Sequence, residues 1–512
     1  MQAGYKYGYG LEAGSKAELI LAIEKTPLGA PITVNGFKDN EMIFLGFIAA
    51  QMGHNITLTI EGLNELESII DVAAQCHLKT PKIGIRVRLH SGGSGTWAKS
   101  GGINAKFGLT ATELIEAMQL LKERDLLEQF HMIHFHIGSQ MEEITQLKKA
   151  LREAGNIYAE LKNMNATGLN SINIGGGLAV EYAQHDAKRL RTYTLGEFAN
   201  DVVFLLSEIM KAKDVEHPDI YTESGRFIVA SHAVLITPVL ELFSQDYQEK
   251  SLKLKEINPP LITELVHLNA HIDSKNAMEY LHDAIDHIES LLTLFDLGYI
   301  DLIDRSNAEI LVHLIIKKGL YLSTDRNSPE LIKLQDKIQE RYLINASIFQ
   351  SMPDYWGLQQ KFPVMPLDKL GTQAIRPATL WDITCDSDGE IAFSSDEPLY
   401  LHDVNLDEEE YFLGFFNIGA YQETLGMNHN LFTHPSECTV IINEQGYTLE
   451  KTDEAASILN VLASMGYDAS KTLIRLKNSL VQSDFITEKE KNDTLQKLEL
   501  FLHQNSYLRT TN

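Results

Sequence analysis

One short stretch organises this sequence: Tyr221-Thr222-Glu223-Ser224-Gly225-Arg226. It places a carboxylate, a glycine and a guanidinium at the end of a short apolar run, and a second apolar run follows at residues 227–235. Taken alone, Glu223 and Arg226 indicate only a surface ion pair. Two further stretches, His136-Ile137-Gly138-Ser139 and Gly175-Gly176-Gly177, also close predicted strands. Three polar clusters at the same end of successive strands predict a single site.

A regular alternation of strands and helices surrounds these clusters. The predicted strands are residues 9–12, 32–34, 56–60, 83–89, 132–136, 172–174 and 220–222. The predicted helices are residues 16–23, 40–52, 63–76, 111–123, 144–162 and 195–212. This order favours a (β/α)8 TIM barrel over an open doubly wound sheet, although periodicity alone does not exclude the latter. Closure needs eight strands and the pattern supplies seven, so we expect the first strand to be the missing one.

The pattern changes beyond residue 232. Residues 234–243 resemble a strand, residues 261–342 form a long amphipathic helical run, and strand signals return after residue 351. These later strands are predicted at residues 378–384, 391–393, 411–416 and 439–443. The fold class predicted is therefore α/β plus β, in four domains. They are a barrel at 1–232, an antiparallel β domain of the sandwich or barrel type at 233–258 and 350–450, a helical insert at 259–349 and a helical C-terminal domain at 451–512.

Composition restricts the function classes. The 70 acidic residues outnumber the 44 basic ones and give a formal charge of -26, which argues against a nucleic-acid or anionic-membrane partner. No apolar run is long enough to span a bilayer, and the first residues lack the pattern of a signal peptide. The three cysteines form no C-x-x-C motif, which suits a reducing cytoplasm. A soluble cytoplasmic protein is therefore the expectation.

The polar clusters suggest a site for an anion and a heteroaromatic ring. A glycine triplet lets backbone N–H groups approach an anion, and Ser139 and Arg226 would complete a phosphate site, although such a triplet is also typical of a turn. Glu223 facing a pyridine nitrogen would keep it protonated and make the ring an electron sink. His136 could stack on that ring, or be a buried histidine at a strand end. A nicotinamide site would require G-x-G-x-x-G, and Gly175–Gly177 lacks that spacing.

Two other groups of residues resemble metal sites. The helical run contains His267, His271, His282 and His287, but no Cys or Asp cluster accompanies them, so we interpret them as surface or core histidines. The sequence Asp386-Ser387-Asp388-Gly389-Glu390 resembles an incomplete calcium loop, and a turn is the preferred interpretation.

Together these motifs carry a family resemblance. His136-x-Gly138-Ser139, Gly175-Gly176-Gly177, Glu223-x-Gly225-Arg226, Cys385-Asp386 and Gly419-Ala420-Tyr421 occur in the order seen in pyridoxal-phosphate-dependent basic amino acid decarboxylases of the alanine-racemase fold. Leu11-Glu12-Ala13-Gly14-Ser15, Lys106-Phe107-Gly108 and Asp382-Ile383-Thr384-Cys385-Asp386 resemble, more narrowly, the bacterial biosynthetic arginine decarboxylases. The resemblance runs from about residue 7 to the C-terminus and includes the helical insert.

The resemblance assigns roles to matching positions. It implies that Glu223 pairs with the pyridine nitrogen of pyridoxal 5'-phosphate and that His136 stacks on the ring. It gives the phosphate to Ser139, the three glycines, Arg226 and Tyr421, and identifies Arg86 with the family's cofactor-side arginine. Cys385 would return a proton to the decarboxylated carbanion, and Asp386 would contact the cationic end of the substrate. Both would be supplied across a homodimer interface, and a need for Mg2+ stays open. From the residues alone, a buried strand cysteine is the favoured interpretation of Cys385.

The substrate-binding loop of the family resembles residues 172–182. It contributes Leu178, Ala179, Glu181 and Tyr182 as candidate substrate-binding residues. An acidic partner such as Asp386 suits a guanidinium or ammonium group, because a bidentate pair in a partly dry site discriminates strongly.

One departure concerns the lysine that forms the family's Schiff base. It belongs to a Pro-(Ile/Leu)-Lys-Val-Asn type motif on the first barrel strand, and neither Lys6 nor Lys16 aligns with it. We therefore expect the chain to begin inside the ancestral domain and its activity to be impaired. The resemblance implies decarboxylation of L-arginine to agmatine. The alternatives are a silent homologue that binds or regulates a partner subunit, and a decarboxylase of diaminopimelate or carboxynorspermidine.

Overall fold

A computed structural model describes residues 2–91, 105–182, 191–243, 247–322, 334, 339–393, 399–483, 485 and 487–509. The candidate residues named above all lie within these ranges. The chain divides into two compact units, the first ending at Ser231 and the second beginning at His232.

The first unit contains a parallel sheet of seven strands in the sequential order β1 to β7. Its strands are Leu11–Ala13 (β1), Pro31–Val34 (β2), Asn55–Ile60 (β3), Lys82–Arg86 (β4), Phe130–His134 (β5), Ser171–Asn173 (β6) and Asp219–Tyr221 (β7). A doubly wound sheet would reverse its strand order at a switch point, whereas this order never reverses. The barrel-type fold and the count of seven strands are therefore confirmed. Among the described residues, β1 and β7 are the two ends of the sheet.

Helices connect these strands and cover the sheet. They are Gln2–Tyr5, Lys16–Lys25, Asn40–Gln51, Leu63–Gln75, Ala111–Glu123, Ile144–Asn163, Leu195–Lys213 and Gly225–Val229. Their starting points follow from local chemistry, since Thr110 and Thr194 form capping boxes with Glu113 and Glu197. Because each helix returns the chain to the same end of the sheet, the carboxyl ends of all the strands lie together, and their following residues can share one site.

A second sheet forms the β part of the second unit. Its strands are Leu235–Leu242 (β8), Glu340–Ile344 (β9), Val364–Pro366 (β10), Arg376–Trp381 (β11), Glu390–Ile391 (β12), Leu399–Leu401 (β13) and Phe412–Phe415 (β14). The order is β10-β14-β8-β9-β11-β12, with β13 also paired to β11. The sheet is antiparallel except between β9 and β11, which run parallel, so the expectation of a purely antiparallel domain was wrong in that detail.

The helical run predicted for residues 261–342 requires a second correction. Its helices are Pro260–His271, Ala277–Asp296 and Leu302–Leu322, but Glu340–Ile344 is strand β9. In that strand Tyr342 and Ile344 are completely buried. Buried and more exposed side chains alternate there, which is the pattern of a half-buried strand, so the helix predicted through residue 342 is not formed at this end. The short helices Ile348–Ser351 and Pro353–Leu358 follow it.

The remaining described residues of the second unit include an exposed hairpin and four α-helices. The exposed hairpin joins Glu437–Asn443 (β15) to Gly446–Asp453 (β16), and the helices are Gln422–Leu425, Ile458–Ser464, Ala469–Val481 and Glu488–Leu502. In the described part of the chain, no helix combines the length and apolar character that crossing a membrane requires.

Candidate active site

A row of buried polar side chains lies across the middle of the first sheet. Arg86, His134 and Asn173 are direct partners in the registers of β4, β5 and β6. Side chains of residues paired in register point to the same face of a sheet. Each of the three is less than a tenth exposed. Their position at the carboxyl ends of apolar strands puts hydrogen-bonding groups where a parallel α/β domain places its site.

Glu223 is the carboxylate on which this row converges. Its Oε1 accepts hydrogen bonds from Asn35 Nδ2 at 2.7 Å and from Asn173 Nδ2 at 3.0 Å, and His134 Nε2 lies 3.9 Å from the same oxygen. Oε2 accepts no hydrogen bond from any residue that the structure describes. The side chain is 25% exposed. One oxygen is therefore fixed by the protein, and the other is available to a ligand.

The backbone around Glu223 is held as firmly as its side chain. Glu223 N–H donates to Gly175 O at 2.9 Å, and Thr222 Oγ1 donates to the same carbonyl at 3.2 Å. Ser224 adopts a left-handed conformation with φ 41°, and its hydroxyl lies 3.0 Å from that of Thr222. A non-glycine residue holds such a conformation only where its surroundings impose it. The turn after β7 is thus locked onto the turn after β6.

The glycine triplet provides this close approach. Gly175 and Gly177 have φ of 68° and 115°, and a Cβ on either would lie within 2.6 Å of a backbone oxygen, that of Phe135 or Gly138. Gly175 N–H donates to Asn173 Oδ1 at 2.9 Å, and Gly176 N–H donates to His136 Nδ1 at 3.3 Å. Two of the three N–H groups are therefore used inside the protein. Gly177 N–H, which no described residue accepts, is the one left for an anion.

His136 is held beside the triplet as a neutral imidazole. Its Nδ1 accepts the Gly176 N–H, so the proton of the neutral ring belongs on Nε2. Burial and the Arg86 charge lower the pKa of His136, and the opposing effect of Glu223 is smaller. The ring is therefore uncharged at neutral pH and fixed next to the loop that carries Glu223.

The candidate anion ligands lie on the neighbouring loops. Arg226 is buried on the helix Gly225–Val229, and its NH1 donates to Tyr182 Oη at 3.2 Å. Ser139 is half-buried in the loop after β5, and its hydroxyl has no hydrogen-bond partner among the described residues. The loops after β5 and β6 are joined by Gln140, whose side chain both accepts from Val180 N–H and donates to Val180 O. This pairing keeps Ser139 close to the glycine triplet.

The candidate substrate loop is mostly packed inward. Leu178, Ala179 and Tyr182 are each less than a tenth exposed. Glu181 is exposed, and its Oε1 lies 3.7 Å from Arg191 NH2. Leu178 and Ala179 thus contribute to the core under the loop, while Glu181 and the Tyr182 hydroxyl carry its polar groups.

Arg86 belongs to a buried charge network. Its NH1 lies 3.3 Å and 3.4 Å from the two oxygens of Glu61, and its guanidinium lies 4.8 Å above the ring of Phe107. Lys38 Nζ lies 3.1 Å from Glu65 Oε2, and both side chains are almost completely buried. Burial lowers the pKa of Lys38 despite the nearby carboxylates. Two cations face two carboxylates, so the network is internally neutral and Arg86 is already paired.

Glu12, on β1, is a second carboxylate beside Glu223. Burial, and next the charge of Glu223, raise its pKa to about 7, while a hydrogen bond from Asn35 acts in the opposite direction. Asn35 is thus close to both carboxylates and donates to Glu223. Partial protonation of Glu12 near neutrality limits how much negative charge accumulates in the site.

Cys385 and Asp386 lie in the second unit, on the exposed turn after β11. Asn430 binds this turn at two points: its Oδ1 accepts Cys385 N–H at 3.1 Å, and its Nδ2 lies 3.5 Å from Cys385 Sγ. Asn430 is left-handed, with φ 52°. Asp386 Oδ2 lies 3.5 Å from His429 Nε2. The interpretation of Cys385 as a buried strand cysteine was wrong, since the residue is exposed.

The second unit also contains Tyr421 and the residues that resemble metal ligands in the sequence. Tyr421 is half exposed and left-handed, with φ 68°. Residues Ser387–Gly389 form a turn of 3-10 helix, and the rings of His267 and His271 stack at 4.2 Å. Within the described ranges, no three His, Cys, Asp or Glu residues are grouped to hold a metal ion.

Sequence reasoning missed three residues of the site. Asn35, His134 and Asn173 each end or follow an apolar strand, which was the available signal. Their roles depend on distant partners, and nothing in their neighbouring residues indicates that they meet at Glu223.

Comparison with known proteins gives two family matches along the chain. Residues 2–230 match the pyridoxal binding domain of pyridoxal-dependent decarboxylases, and residues 255–333 match the arginine decarboxylase helical bundle domain.

Individual relatives cover nearly the whole chain. A biosynthetic arginine decarboxylase of Geobacter sp. (strain M21) is 38% identical over 99% of this chain and 82% of its own length. That of Deinococcus radiodurans is 39% identical over 91% of this chain and 72% of its own. The crystal structure of the biosynthetic arginine decarboxylase of Campylobacter jejuni matches with a TM-score of 0.92 and 58% identity, covering 100% of this chain and 83% of that chain. A diaminopimelate decarboxylase structure shares the fold at 19% identity and a TM-score of 0.57, covering 90% of this chain and 79% of that one.

Proposed function

The chain belongs to the biosynthetic arginine decarboxylases, a family of pyridoxal-dependent enzymes, and from this premise we propose that it removes carbon dioxide from L-arginine to give agmatine. The proposal depends on one observation, that the two carboxylate oxygens of Glu223 have different surroundings. A carboxylate with one oxygen held by two amides and the other open is suited to receive a single N–H from a bound ring.

The residues of the first unit fit pyridoxal 5'-phosphate. Glu223 Oε2 would accept the pyridine N–H, and neutral His136 offers a flat face beside it. Ser139, Gly177 N–H and Arg226 supply a hydroxyl, a backbone donor and a cation for the phosphate. When bound, the cofactor supplies an electron sink for the pair left at Cα when the carboxylate departs.

Each protein group then has a defined task. The two asparagines hold Glu223 in one orientation, so no reorganisation is needed as charge develops on the ring. His136 excludes water from one ring face and adds no charge there. Arg86 is paired with Glu61, which supports a role for Arg86 in holding the row of buried polar side chains in place.

The substrate side is assigned to the second unit. Asp386 would bind the guanidinium of arginine, Cys385 would return the proton to Cα, and Tyr421 would contact the phosphate. Asn430 supports this by fixing both the backbone and the thiol of Cys385. We propose, with the family, that a second copy of the chain contributes Cys385 and Asp386, which makes the working protein a homodimer.

The test is product formation with carboxyl-labelled L-arginine and added cofactor. Because the family's lysine has no match at Lys6 or Lys16, two proteins are compared: the chain itself, and the chain extended at its N-terminus by a strand with the family's Pro-(Ile/Leu)-Lys-Val-Asn type motif. We expect agmatine and labelled carbon dioxide, faster from the second protein, and loss of roughly 100-fold or more of the rate in Glu223→Ala, as when a preorganised catalytic group is removed. Omitting or adding Mg2+ tests whether the metal is required.

Two outcomes would reject the proposal. Cofactor binding without product from either protein would favour the silent, regulatory homologue. Faster product formation from diaminopimelate or carboxynorspermidine than from L-arginine would assign a different substrate. Glu410 is exposed in the second unit, so Glu410→Gln is the matched control for the loss of one carboxylate.

A further inference from the structure

His134 is a buried imidazole for which the reaction described so far has no use. It is 1% exposed, and neither Nδ1 nor Nε2 has a hydrogen-bond partner among the described residues. Sealing two polar atoms away from water without partners is unfavourable, and native proteins retain such groups chiefly where they serve a function. The side chain therefore needs an explanation beyond packing.

The residues around the His134 ring show which hydrogen-bond partner it can reach. Register places His134 between Arg86 and Asn173, which already donates to Glu223 Oε1. Nε2 of His134 lies 3.9 Å from that same oxygen. A small rotation of either side chain would close this distance to a hydrogen bond, and the two amide donors would stay in place.

The charged and titratable groups around the ring decide its protonation state. Burial, followed by Arg86, His136 and Lys38, lowers the pKa of His134 well below its ordinary value, and Glu223 is the carboxylate that faces it. The ring is therefore neutral at physiological pH and carries one N–H. This matters because an imidazolium at Oε1 would withdraw basicity from Glu223, whereas a neutral donor orients the carboxylate with little competition for the ring proton.

We propose that His134 is a positioning residue that acts through Glu223, its Nε2–H closing onto Oε1 when the pyridine N–H of the cofactor engages Oε2. Three donors would then fix Oε1, and the second oxygen would keep its full capacity to hold the ring proton. The inference rests on the proposed function, because the partner of Oε2 is the cofactor of that reaction.

Three substitutions of His134 distinguish a role in positioning Glu223 from a role in packing alone. His134→Phe keeps the volume and removes the donor. His134→Gln places an amide N–H near the position of Nε2, and His134→Asn places one near Nδ1 instead. The readouts are the cofactor dissociation constant and the pH at which the pyridine nitrogen of nitrogen-labelled cofactor loses its proton, observed by NMR.

Expected values follow from the loss of one hydrogen bond to a charged group. His134→Phe and His134→Asn should weaken cofactor binding roughly 10-fold and move ring deprotonation about one pH unit lower, and His134→Gln should restore both to within about threefold. Equal loss in all three variants, or none in His134→Phe, would overturn the proposal. Melting temperatures of the cofactor-free variants identify a variant that merely misfolds.

The role of His134 can also be tested without the cofactor, by NMR of the histidine ring. In the cofactor-free protein with labelled histidine, the His134 ring should be neutral with its proton on Nε2, and Glu223→Ala should move the Nε2 signal. A proton on Nδ1, or a signal indifferent to Glu223→Ala, would reject the role of His134 even in an active enzyme. A protein that meets these expectations and binds cofactor but makes no agmatine would reject the proposed function alone.

Discussion

Asn35 Nδ2 lies 2.7 Å from Glu223 Oε1 and joins residues 188 positions apart in the chain. The contact ties the loop after β2 to the loop after β7, near opposite ends of the sheet. Asn35 is buried, and its side chain also lowers the pKa of the neighbouring Glu12. This amide therefore fixes Glu223 and acts electrostatically on a second carboxylate, so its replacement should disturb the cofactor site before it disturbs the fold.

We expect Asn35→Asp to weaken pyridoxal 5'-phosphate binding more than Asn35→Ala does. The alanine loses one charge-assisted hydrogen bond, worth about 1.5–3 kcal/mol, whereas the aspartate also sets a third carboxylate against Glu12 and Glu223. Titration with pyridoxal 5'-phosphate, followed by absorbance, measures the dissociation constant of each variant. Asn55→Ala is the control, because its amide makes only a long surface contact of 3.4 Å with Gly29 O. Equal affinities for Asn35→Asp and the wild type would contradict the assigned contact.

Gly175→Ala should destabilise the protein without cofactor by about 2 kcal/mol or more, because it combines left-handed strain with a clash. The added Cβ would lie 2.6 Å from Phe135 O. In contrast, a Cβ on Gly225 meets nothing within 4 Å, and the residue begins a helix. Gly225→Ala should therefore leave stability unchanged or raise it slightly. Urea unfolding of both variants tests this, and a Gly225→Ala loss equal to that of Gly175→Ala would refute the argument.

Lys38→Met should cost about 3–5 kcal/mol, because it leaves the Glu65 carboxylate buried without its cation. Glu65 also accepts the N–H groups of Lys38 and Glu61, so it cannot move out to solvent without breaking these bonds. The control is Lys16→Met, because the ion pair of Lys16 with Asp39 is exposed and its loss should cost far less than that of the buried pair. Chemical denaturation compares the two. A similar loss of unfolding free energy in both variants would show that burial does not decide the strength of these two ion pairs.

Glu12 should make stability depend on pH. Its pKa is raised from 4.5 to about 7, so the folded protein holds the proton more tightly than the unfolded chain. The resulting stabilisation is complete below about pH 4.5 and is lost as the pH rises through about 7. The Glu12 side chain is exposed at the edge of the sheet, so solvent screening should reduce the change to about 1 kcal/mol. The free energy of unfolding of the wild type, minus that of Glu12→Gln, should fall across this window. If this difference in unfolding free energy stayed constant or rose with pH, Glu12 would not be protonated in the folded protein.

Asp386→Asn should raise KM for L-arginine by roughly 100-fold in the protein extended with the family's lysine motif, since an ion pair in a desolvated site is worth about 2–5 kcal/mol. Asp388→Asn, two residues along the same turn, is the matched control, because its carboxylate accepts Trp356 Nε1–H instead. Steady-state kinetics with L-arginine and with an uncharged analogue separates binding from chemistry. Equal KM values for the two variants would place the guanidinium elsewhere.

Much of the fold followed from local patterns. Apolar runs of strand length, separated by capped amphipathic helices, were enough to predict seven strands and a barrel-type domain. The motifs His136, Gly175–Gly177 and Glu223 could be identified because each directly follows an apolar strand. Strand β9 was missed because Glu340–Ile344 follows a long helical run, and its alternation is only five residues long.

The sequence by itself determined which elements form and which chemical groups end the strands, because helix and strand periodicity and capping act over a few neighbouring residues. Only the tertiary structure decided that Asn35, His134 and Asn173 meet at Oε1 of Glu223 and leave Oε2 open. That choice depends on the register of strands far apart in the chain. A shift of one residue would turn any of these side chains to the opposite face of the sheet.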